Sequence, residues 1–166
     1  LILPKTMKRF QKLCPFVEVL VTEDNSDGLE KRLLAGEVDF VLMHAPIEIQ
    51  SGKIQYELLE RDPFVVVTCP DHPLISKANV LDGYTHPVLD IRLLEKQPMI
   101  RLHSGQRIRQ VTDSVLKRAG IRQITTAMTV KNHTTAQLLA AQGAGITMVP
   151  LEYARLTVRH ETSPAL

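Results

Sequence analysis

A short, uninterrupted apolar run near the middle of the chain most constrains the fold. Residues 64–67 read Phe-Val-Val-Val. Such a run of aromatic and β-branched residues is typical of a strand that is buried on both faces, as in a sheet covered by helices. Pro70 and Pro73 follow, and each proline lacks an N–H and favours extended geometry in the residue before it. The sequence therefore predicts that residues 63–74 form a hinge strand and a stiff connector between two lobes.

Upstream of this hinge, two apolar segments flank a predicted helix. Residues 17–22 place Val17, Val19 and Val21 at every second position, which predicts a strand with these three side chains on one face. Asn25 or Ser26 suits the N-cap of the helix that follows, and Gly36 suits its C′ position. Residues 38–43 then form a second apolar run. Strand, helix and buried strand in this order predict a βαβ unit with a parallel sheet, to which the hinge strand adds.

Downstream of the hinge, strands and helices alternate again. A helix from Arg107 ends at Gly120, and a helix capped within residues 132–135 ends at Gly143. Residues 157–161 are strand-like. The predicted fold class is therefore α/β, with two Rossmann-like subdomains joined by hinge strands. The remaining predicted elements are a helix at residues 1–14 and strands at residues 54–58, 99–103, 124–130 and 146–149.

Composition excludes several classes of protein. The 166 residues are 44% apolar and 23% charged, as in an average soluble protein, and the net charge of +2 is too small to indicate nucleic-acid binding by itself. No apolar run approaches the length of a membrane span, so we expect no membrane partner. Cys14 and Cys69 form no framework of close spacings. This favours free thiols in a reducing cytoplasm, with one disulfide between them as the alternative.

Several motifs occur in an order that resembles a known family. They are Leu34-Ala-Gly-Glu-Val-Asp-Phe-Val41, then residues 65–74 ending in Asp-His-Pro-Leu, then Ala140-Ala-Gln-Gly-Ala-Gly-Ile146 with Val149-Pro150. This series resembles the effector-binding domain of LysR-type transcriptional regulators, over nearly the whole chain. Each fragment alone is weakly specific, whereas their order and spacing together are fairly specific.

The resemblance implies a bilobed fold like that of type 2 periplasmic binding proteins, with a small-molecule effector in the cleft between the lobes. We expect subdomain I at residues 1–69, with residues 157–166 returning to it, and subdomain II at residues 70–156. We expect the DNA-binding domain of the family to be absent from this sequence, so that DNA would be contacted only through that missing part. We also expect sequence to be missing upstream of Leu1 and near residues 155–157.

The resemblance further implies a cytoplasmic protein that associates with itself. Family members form homodimers, and tetramers at full length. A helix of one lobe packs against a helix of the other lobe in the partner. The corresponding segments here are residues 3–13 and 107–119. Packing within one chain is the alternative for both segments.

The residues themselves place a ligand site where the strands of an open α/β sheet end and loops enter helix N-termini. Backbone N–H groups at the positive end of a helix dipole favour an anionic ligand such as a small carboxylate. Each hydroxyl there is equally suited to serve only as an N-cap. The alternative for His103 and His133 is a hydrated loop residue, and the alternative for His44 is a satisfied residue at the edge of the core. The predicted ligand-binding residues are His44, Thr68, Cys69, His103, Ser104, Gly105, His133, Thr134 and Thr135.

Cys69 and His72 raise the alternative of a metal site or a Cys–His catalytic pair. Zinc would need a second ligand pair at comparable spacing, and Cys14 has no such partner near it in the sequence. Phosphate-loop and hydrolase motifs are also missing from the sequence. We therefore predict no catalytic residue, no metal and no cofactor. The rival functions are a solute-binding receptor of the same fold and, less favoured, a small α/β enzyme.

Overall fold

The computed structural model describes residues 2–46, 49 and 52–158. The N-terminal region, residues 2–62, contains the helices α1 (Ile2–Leu13) and α2 (Ser26–Leu34). Within the described residues, no helix combines the length and apolar character needed to cross a bilayer. The C-terminal region, from residue 63, contains β1 (Phe64–Val67), two 3₁₀ turns (Ile75–Lys77 and Ile91–Leu94), β2 (Met99–Leu102), α3 (Arg107–Arg118), β3 (Thr126–Val130), α4 (His133–Ala141), β4 (Thr147–Pro150) and α5 (Leu151–Val158).

The helix boundaries follow the capping residues of the sequence. The Asn25 side chain accepts a hydrogen bond from Gly28 N at 2.9 Å and caps α2, as predicted. The Asn132 side chain accepts from Thr134 N at 2.7 Å and caps α4 in the same way. Gly120 and Gly143 adopt positive φ just after α3 and α4, so both helices end where the sequence predicted.

The strand pairing differs from the prediction at β1. β2 and β3 pair in parallel, with Leu102 opposite Val130. β1 instead pairs antiparallel with β4, with Val65 opposite Val149. The prediction that this strand extends a sheet of the N-terminal region is therefore wrong. Its backbone hydrogen bonds are made with a strand near the end of the described chain, a partner that local sequence cannot specify.

β1 lies between two apolar clusters, which explains its continuous apolar sequence. One cluster contains Val67 and Ile100 and extends to α4 and α5. The other contains Leu116 of α3 with Ile146 and is contacted by Phe64 and Val66. Val67 and Val149 are both fully buried. The prediction of a strand covered on both faces is confirmed, although both covering clusters belong to the C-terminal region.

The N-terminal region does not form its predicted parallel sheet in the described residues. Residues 17–22, 38–43 and 54–58 form no strand ladder. Their large apolar side chains include exposed ones: Leu20 is 84% exposed, and Phe40 72%. An extended segment becomes a strand only where a neighbour satisfies its N–H and C=O groups. A strand-like sequence pattern predicts a segment that can pair, but it does not specify the neighbouring strand.

The last described segment is helical rather than extended. α5 continues through Thr157, whose hydroxyl donates to Tyr153 O at 3.3 Å. The predicted strand at residues 157–161 is therefore wrong at its start, and residues 159–161 lie outside the described residues. Pro150 precedes the helix directly, and α5 packs against α4 and β1. The stabilisation from this packing outweighs the low helix propensity of the β-branched residue Thr157.

Candidate functional site

The loops after β2 and β3 lie side by side, because the two strands are parallel neighbours. His103 N donates to Val130 O at 3.0 Å, and the side-chain Nε2 of Gln106 donates to Lys131 O. The loop that contains Ser104 and Gly105 therefore lies beside the residues that begin α4. Two predicted groups of ligand-binding residues, one on each loop, are brought to the same edge of the structure.

Two predicted histidines meet around a tyrosine that the sequence did not single out. His44 Nε2 and Tyr153 Oη are hydrogen-bonded at 3.1 Å, and their rings meet edge to face at 5.4 Å. The His133 ring stacks on Tyr153 at 4.3 Å with an interplanar angle of 21°. His44 belongs to the N-terminal region, and His133 begins α4. The three rings therefore join the two regions of the chain, and we call them the ring cluster.

Gln137 fixes the protonation of one ring. It is fully buried, and its Nε2 donates to Tyr153 O at 3.4 Å and lies 3.4 Å from His133 Nδ1. An amide nitrogen is only a donor, so the facing Nδ1 must be the unprotonated acceptor. The proton of neutral His133 is therefore on Nε2, and that N–H is not used by the Gln137 contact.

Burial keeps the ring cluster uncharged at neutral pH. It lowers the pKa of His44 below the ordinary histidine value, although the Asp62 carboxylate acts in the opposite direction. Burial also lowers the pKa of His133, and the neighbouring His44 adds to this effect. Burial raises the pKa of the Tyr153 hydroxyl, with Asp62 contributing in the same sense. Since all three shifts favour the neutral forms, the cluster offers hydrogen bonds rather than fixed charge.

Asp62 positions the helix that contains Tyr153. Its Oδ1 accepts from Glu152 N at 3.2 Å, and Leu151 N donates to Pro63 O at 2.8 Å. These two bonds hold the start of α5 against the point where the chain enters β1. The carboxylate therefore satisfies one N-terminal amide of a helix from a distant part of the sequence, as an N-cap does locally.

A second contact between the regions lies at the start of α3. Arg107 Nη2 is 2.9 Å from Asp27 Oδ1 and 3.2 Å from Glu30 Oε1, both on α2. The Arg107 side chain is only 10% exposed. The N-terminal region is thus held to the C-terminal region at α3 by ion pairs and at α4 and α5 by the ring cluster.

The remaining predicted residues of these two loops differ in exposure. Thr134 is half-buried, whereas Thr135, His103, Ser104 and Gly105 are exposed. Ser104 is not the N-cap of α3, because that position belongs to Gln106, which makes no side-chain capping bond. The hydroxyl of Ser104 is therefore not used as a helix cap.

Thr68 and Cys69 lie apart from the ring cluster. A Cβ added at Gly143 would be 3.8 Å from Cys69 Sγ, which places the thiol near the C-terminal end of α4. His133 begins the same helix, and its nine residues span about 13 Å at 1.5 Å per residue. Both cysteines are free thiols, and the described residues contain no cluster of three His, Cys, Asp or Glu side chains suited to a metal. The nine predicted residues therefore do not form one compact site.

Tyr153, Gln137 and Asp62 are the parts of the site that sequence reasoning missed. Gln137 stands one helical turn after His133, a spacing that places both on one face of α4. That spacing was the available signal for Gln137. Tyr153 and Asp62 come together with His44 only through the packing of α5 on β1, and no local pattern indicates it.

Comparisons with known proteins agree with the fold and the family resemblance. The sequence profile of the LysR substrate binding domain matches residues 1–162. The uncharacterised HTH-type transcriptional regulator YcgK of Bacillus subtilis is 31% identical over 157 residues, covering 89% of this chain and 47% of that protein. The chain spans about half the length of the curated relatives it matches.

Solved structures give the same result. The C-terminal domain of a probable LysR family transcriptional regulator from Rhodococcus sp. RHA1 is 26% identical with a TM-score of 0.73, over 89% of this chain and 66% of that chain. The regulatory domain of CcmR from Synechocystis PCC6803, in complex with 2-PG, is 20% identical with a TM-score of 0.71, over 91% and 67%. The predicted α/β fold of the type 2 periplasmic-binding-protein class is confirmed.

Proposed function

We propose that this chain, which belongs to the family of LysR substrate-binding domains, senses a small-molecule effector between its N-terminal and C-terminal regions. The observation that carries this proposal is the ring cluster, in which His44 and His133 contact Tyr153 from the two regions. A ligand bound there contacts both regions at once. It then favours one arrangement of the regions by the difference in its affinity for the two arrangements.

The chemistry of the cluster favours a small anion that carries a hydrogen-bond acceptor. His133 and Thr134 begin α4, where the helix dipole is positive, and the Thr134 N–H is already donated to the Asn132 cap. The His133 Nε2–H adds a neutral donor. We include Ser104 in the site because its loop lies beside the start of α4 and its hydroxyl does not cap α3. Thr68 and Cys69 are left out, because they lie near the other end of α4.

A thermal-shift screen of the 166-residue chain against small carboxylates tests the proposal, because a ligand that binds the folded state raises the Tm. Isothermal titration then measures the affinity of the Ser104→Ala and Thr134→Ala variants for the best ligand. We expect each to weaken binding by about threefold to tenfold, the effect of one hydrogen bond. Thr129→Ala, on the exposed face of β3, is the matched control. Unchanged affinity in both site variants would remove these residues from the site.

We propose that the output of the sensor uses a further domain of the regulator. We propose that DNA binding belongs to a separate helix-turn-helix domain of the full-length regulator, that the protein acts in the cytoplasm, and that this domain has no catalytic role. The curated relatives are transcriptional regulators, which supports this assignment.

We also propose that the domain pairs with a second copy through α1 and α3. None of the described side chains of α1 is buried, and Leu13 is 71% exposed. An amphipathic helix of this length gains most of its stability from packing. Leu13→Glu should shift the mass measured by light scattering from dimer to monomer, whereas Lys12→Glu, on the same helix, should not. A monomeric parent chain would contradict the proposal.

A further inference from the structure

We propose that the C-terminal region contains a second ligand site, an apolar cavity that binds an uncharged, mainly apolar small molecule. The cavity has a volume of about 360 Å³. It lies between β1, the start of β4, α3 and the segment with the two 3₁₀ turns. Sites for small molecules commonly occupy about 300–1,000 Å³ and are lined mostly by apolar side chains. This site goes beyond effector sensing at the ring cluster and involves different residues.

The lining of the cavity sets the charge of its ligand. Its walls include Phe64, Val66, Val115 and Met148, and none of the lining residues is Asp, Glu, Lys or Arg. An ionised ligand would lose its hydration without gaining a counter-charge, which is costly in apolar surroundings. The cavity therefore selects against the small anions proposed for the ring cluster.

Two buried polar atoms in the wall indicate that the ligand also carries a hydroxyl or carbonyl group. Thr68 Oγ1 and His86 Nε2 are buried, and neither has a hydrogen-bond partner among the described residues. Both residues line the cavity. A buried hydroxyl without a partner costs about 1–3 kcal/mol, so a ligand group that pairs with it recovers affinity. Because neither atom is exposed in this structure, pairing requires a χ1 rotation of Thr68 or His86 to a neighbouring staggered rotamer.

The rim of the cavity is accessible from solvent. Residues 79–88 form a loop that is closed by two hydrogen bonds between Asn79 and Val88, at 2.9 and 2.8 Å. Tyr84, near the tip of this loop, lines the cavity and is 66% exposed. An exposed aromatic residue with a hydroxyl suits a mouth through which a flat apolar molecule enters.

The cavity and the ring cluster are separate sites. None of the ring-cluster residues His44, His133 and Tyr153 lines the cavity. β1 lies between the surroundings of the cavity and those of the ring cluster, since Phe64 contacts the two apolar clusters on either side of β1. Binding in the cavity can therefore be measured independently of the anionic effector.

Fluorescence titration of the 166-residue chain with 2-naphthol tests the proposal. 2-Naphthol is a flat, uncharged bicycle with one hydroxyl, and 2-naphthoate is its anionic counterpart of similar size. We expect saturable, one-to-one binding of 2-naphthol and affinity for 2-naphthoate that is weaker by about tenfold or more, which corresponds to 1.4 kcal/mol.

Three variants locate the binding. Ala78→Trp fills the cavity from the loop side and should abolish 2-naphthol binding. Thr68→Val keeps the shape and removes the hydroxyl, so it should weaken binding by about threefold to tenfold without loss of folding. Thr129→Val, on an exposed strand position outside the cavity, is the matched control and should bind normally.

The outcomes separate the two proposed sites. No binding of 2-naphthol by the folded parent chain, or equal binding by the parent, Ala78→Trp and Thr68→Val, would overturn the cavity site. Loss of 2-naphthol binding in His133→Gln would also overturn it, because that result assigns the probe to the ring cluster. A failed carboxylate screen with normal 2-naphthol binding would instead contradict only the effector site.

Discussion

The Arg107 guanidinium of α3 donates to the Asp27 carboxylate of α2 at 2.9 Å, joining two helices from different regions of the chain. Glu30 accepts from the same Arg107 nitrogen at 3.2 Å. The arginine side chain is 10% exposed, whereas Asp27 is 53% and Glu30 23% exposed. Because water screens Asp27 more strongly, Glu30 is the more effective partner despite its longer distance.

This difference predicts the order of two stability effects. Glu30→Gln should lower the free energy of unfolding by about 1–2 kcal/mol, as expected for a hydrogen bond to a charged group. Asp27→Asn should cost less than about 1 kcal/mol. Urea unfolding of each variant measures the values. Arg92→Gln is the control, because the Arg92 side chain, which is paired with Asp90, is 76% exposed. Equal effects of all three would show that exposure does not set the strength of these pairs.

The ring cluster predicts how stability depends on pH. The folded-state pKa values of His44 and His133 are lowered, so the unfolded chain takes up protons first as the pH falls. Their contribution to stability is complete above the ordinary histidine pKa, about 6.5. It is lost as the pH falls from that value through the lowered pKa.

The double variant His44→Gln, His133→Gln should therefore lose less stability than the parent between about pH 7.5 and about pH 5. Differential scanning calorimetry across this range measures the Tm of both chains. His103→Gln, at an exposed position, should follow the parent. A double variant with the parent's pH profile would show that these two imidazoles do not control the acid sensitivity.

The Tyr153 hydroxyl can be tested separately from its ring. Tyr153→Phe removes the bond to His44 Nε2 and keeps the stacking on His133. We expect a loss of about 0.5–1.5 kcal/mol of unfolding free energy, the net value of one such hydrogen bond. Tyr153→Leu removes both contacts and should cost more. Urea unfolding compares the two, and equal losses would indicate that the ring stacking contributes nothing.

Gly145 allows β4 to approach the segment before β2. Its φ is +143°, and an added Cβ would lie 2.5 Å from Pro98 O. Because that contact is with backbone rather than a movable side chain, Gly145→Ala should destabilise the chain by more than about 2 kcal/mol. Gly105→Ala is the control, since no atom lies within 4 Å of an added Cβ there. Thermal unfolding compares the two, and a near-neutral Gly145→Ala would mean that the backbone moves easily.

Helix positions could be predicted from the sequence because their signals are local. Asn25 and Asn132 cap helices with bonds to amides two or three residues away, and Gly120 and Gly143 end helices at the next turn. The apolar run of β1 likewise predicted burial on both faces. The prediction failed at residues 157–161, where β-branched residues indicated a strand but α5 continues through Thr157.

The sequence by itself determined the α/β class, the ends of α2, α3 and α4 and the residues from which a site could be built, since each depends on side chains within a few positions of one another. Only the tertiary structure decided that β1 pairs with β4 and that His44, His133 and Tyr153 meet, while Thr68 and Cys69 lie elsewhere. The physical reason is that a backbone ladder or a ring contact needs a partner distant in the chain, and the folded packing selects that partner.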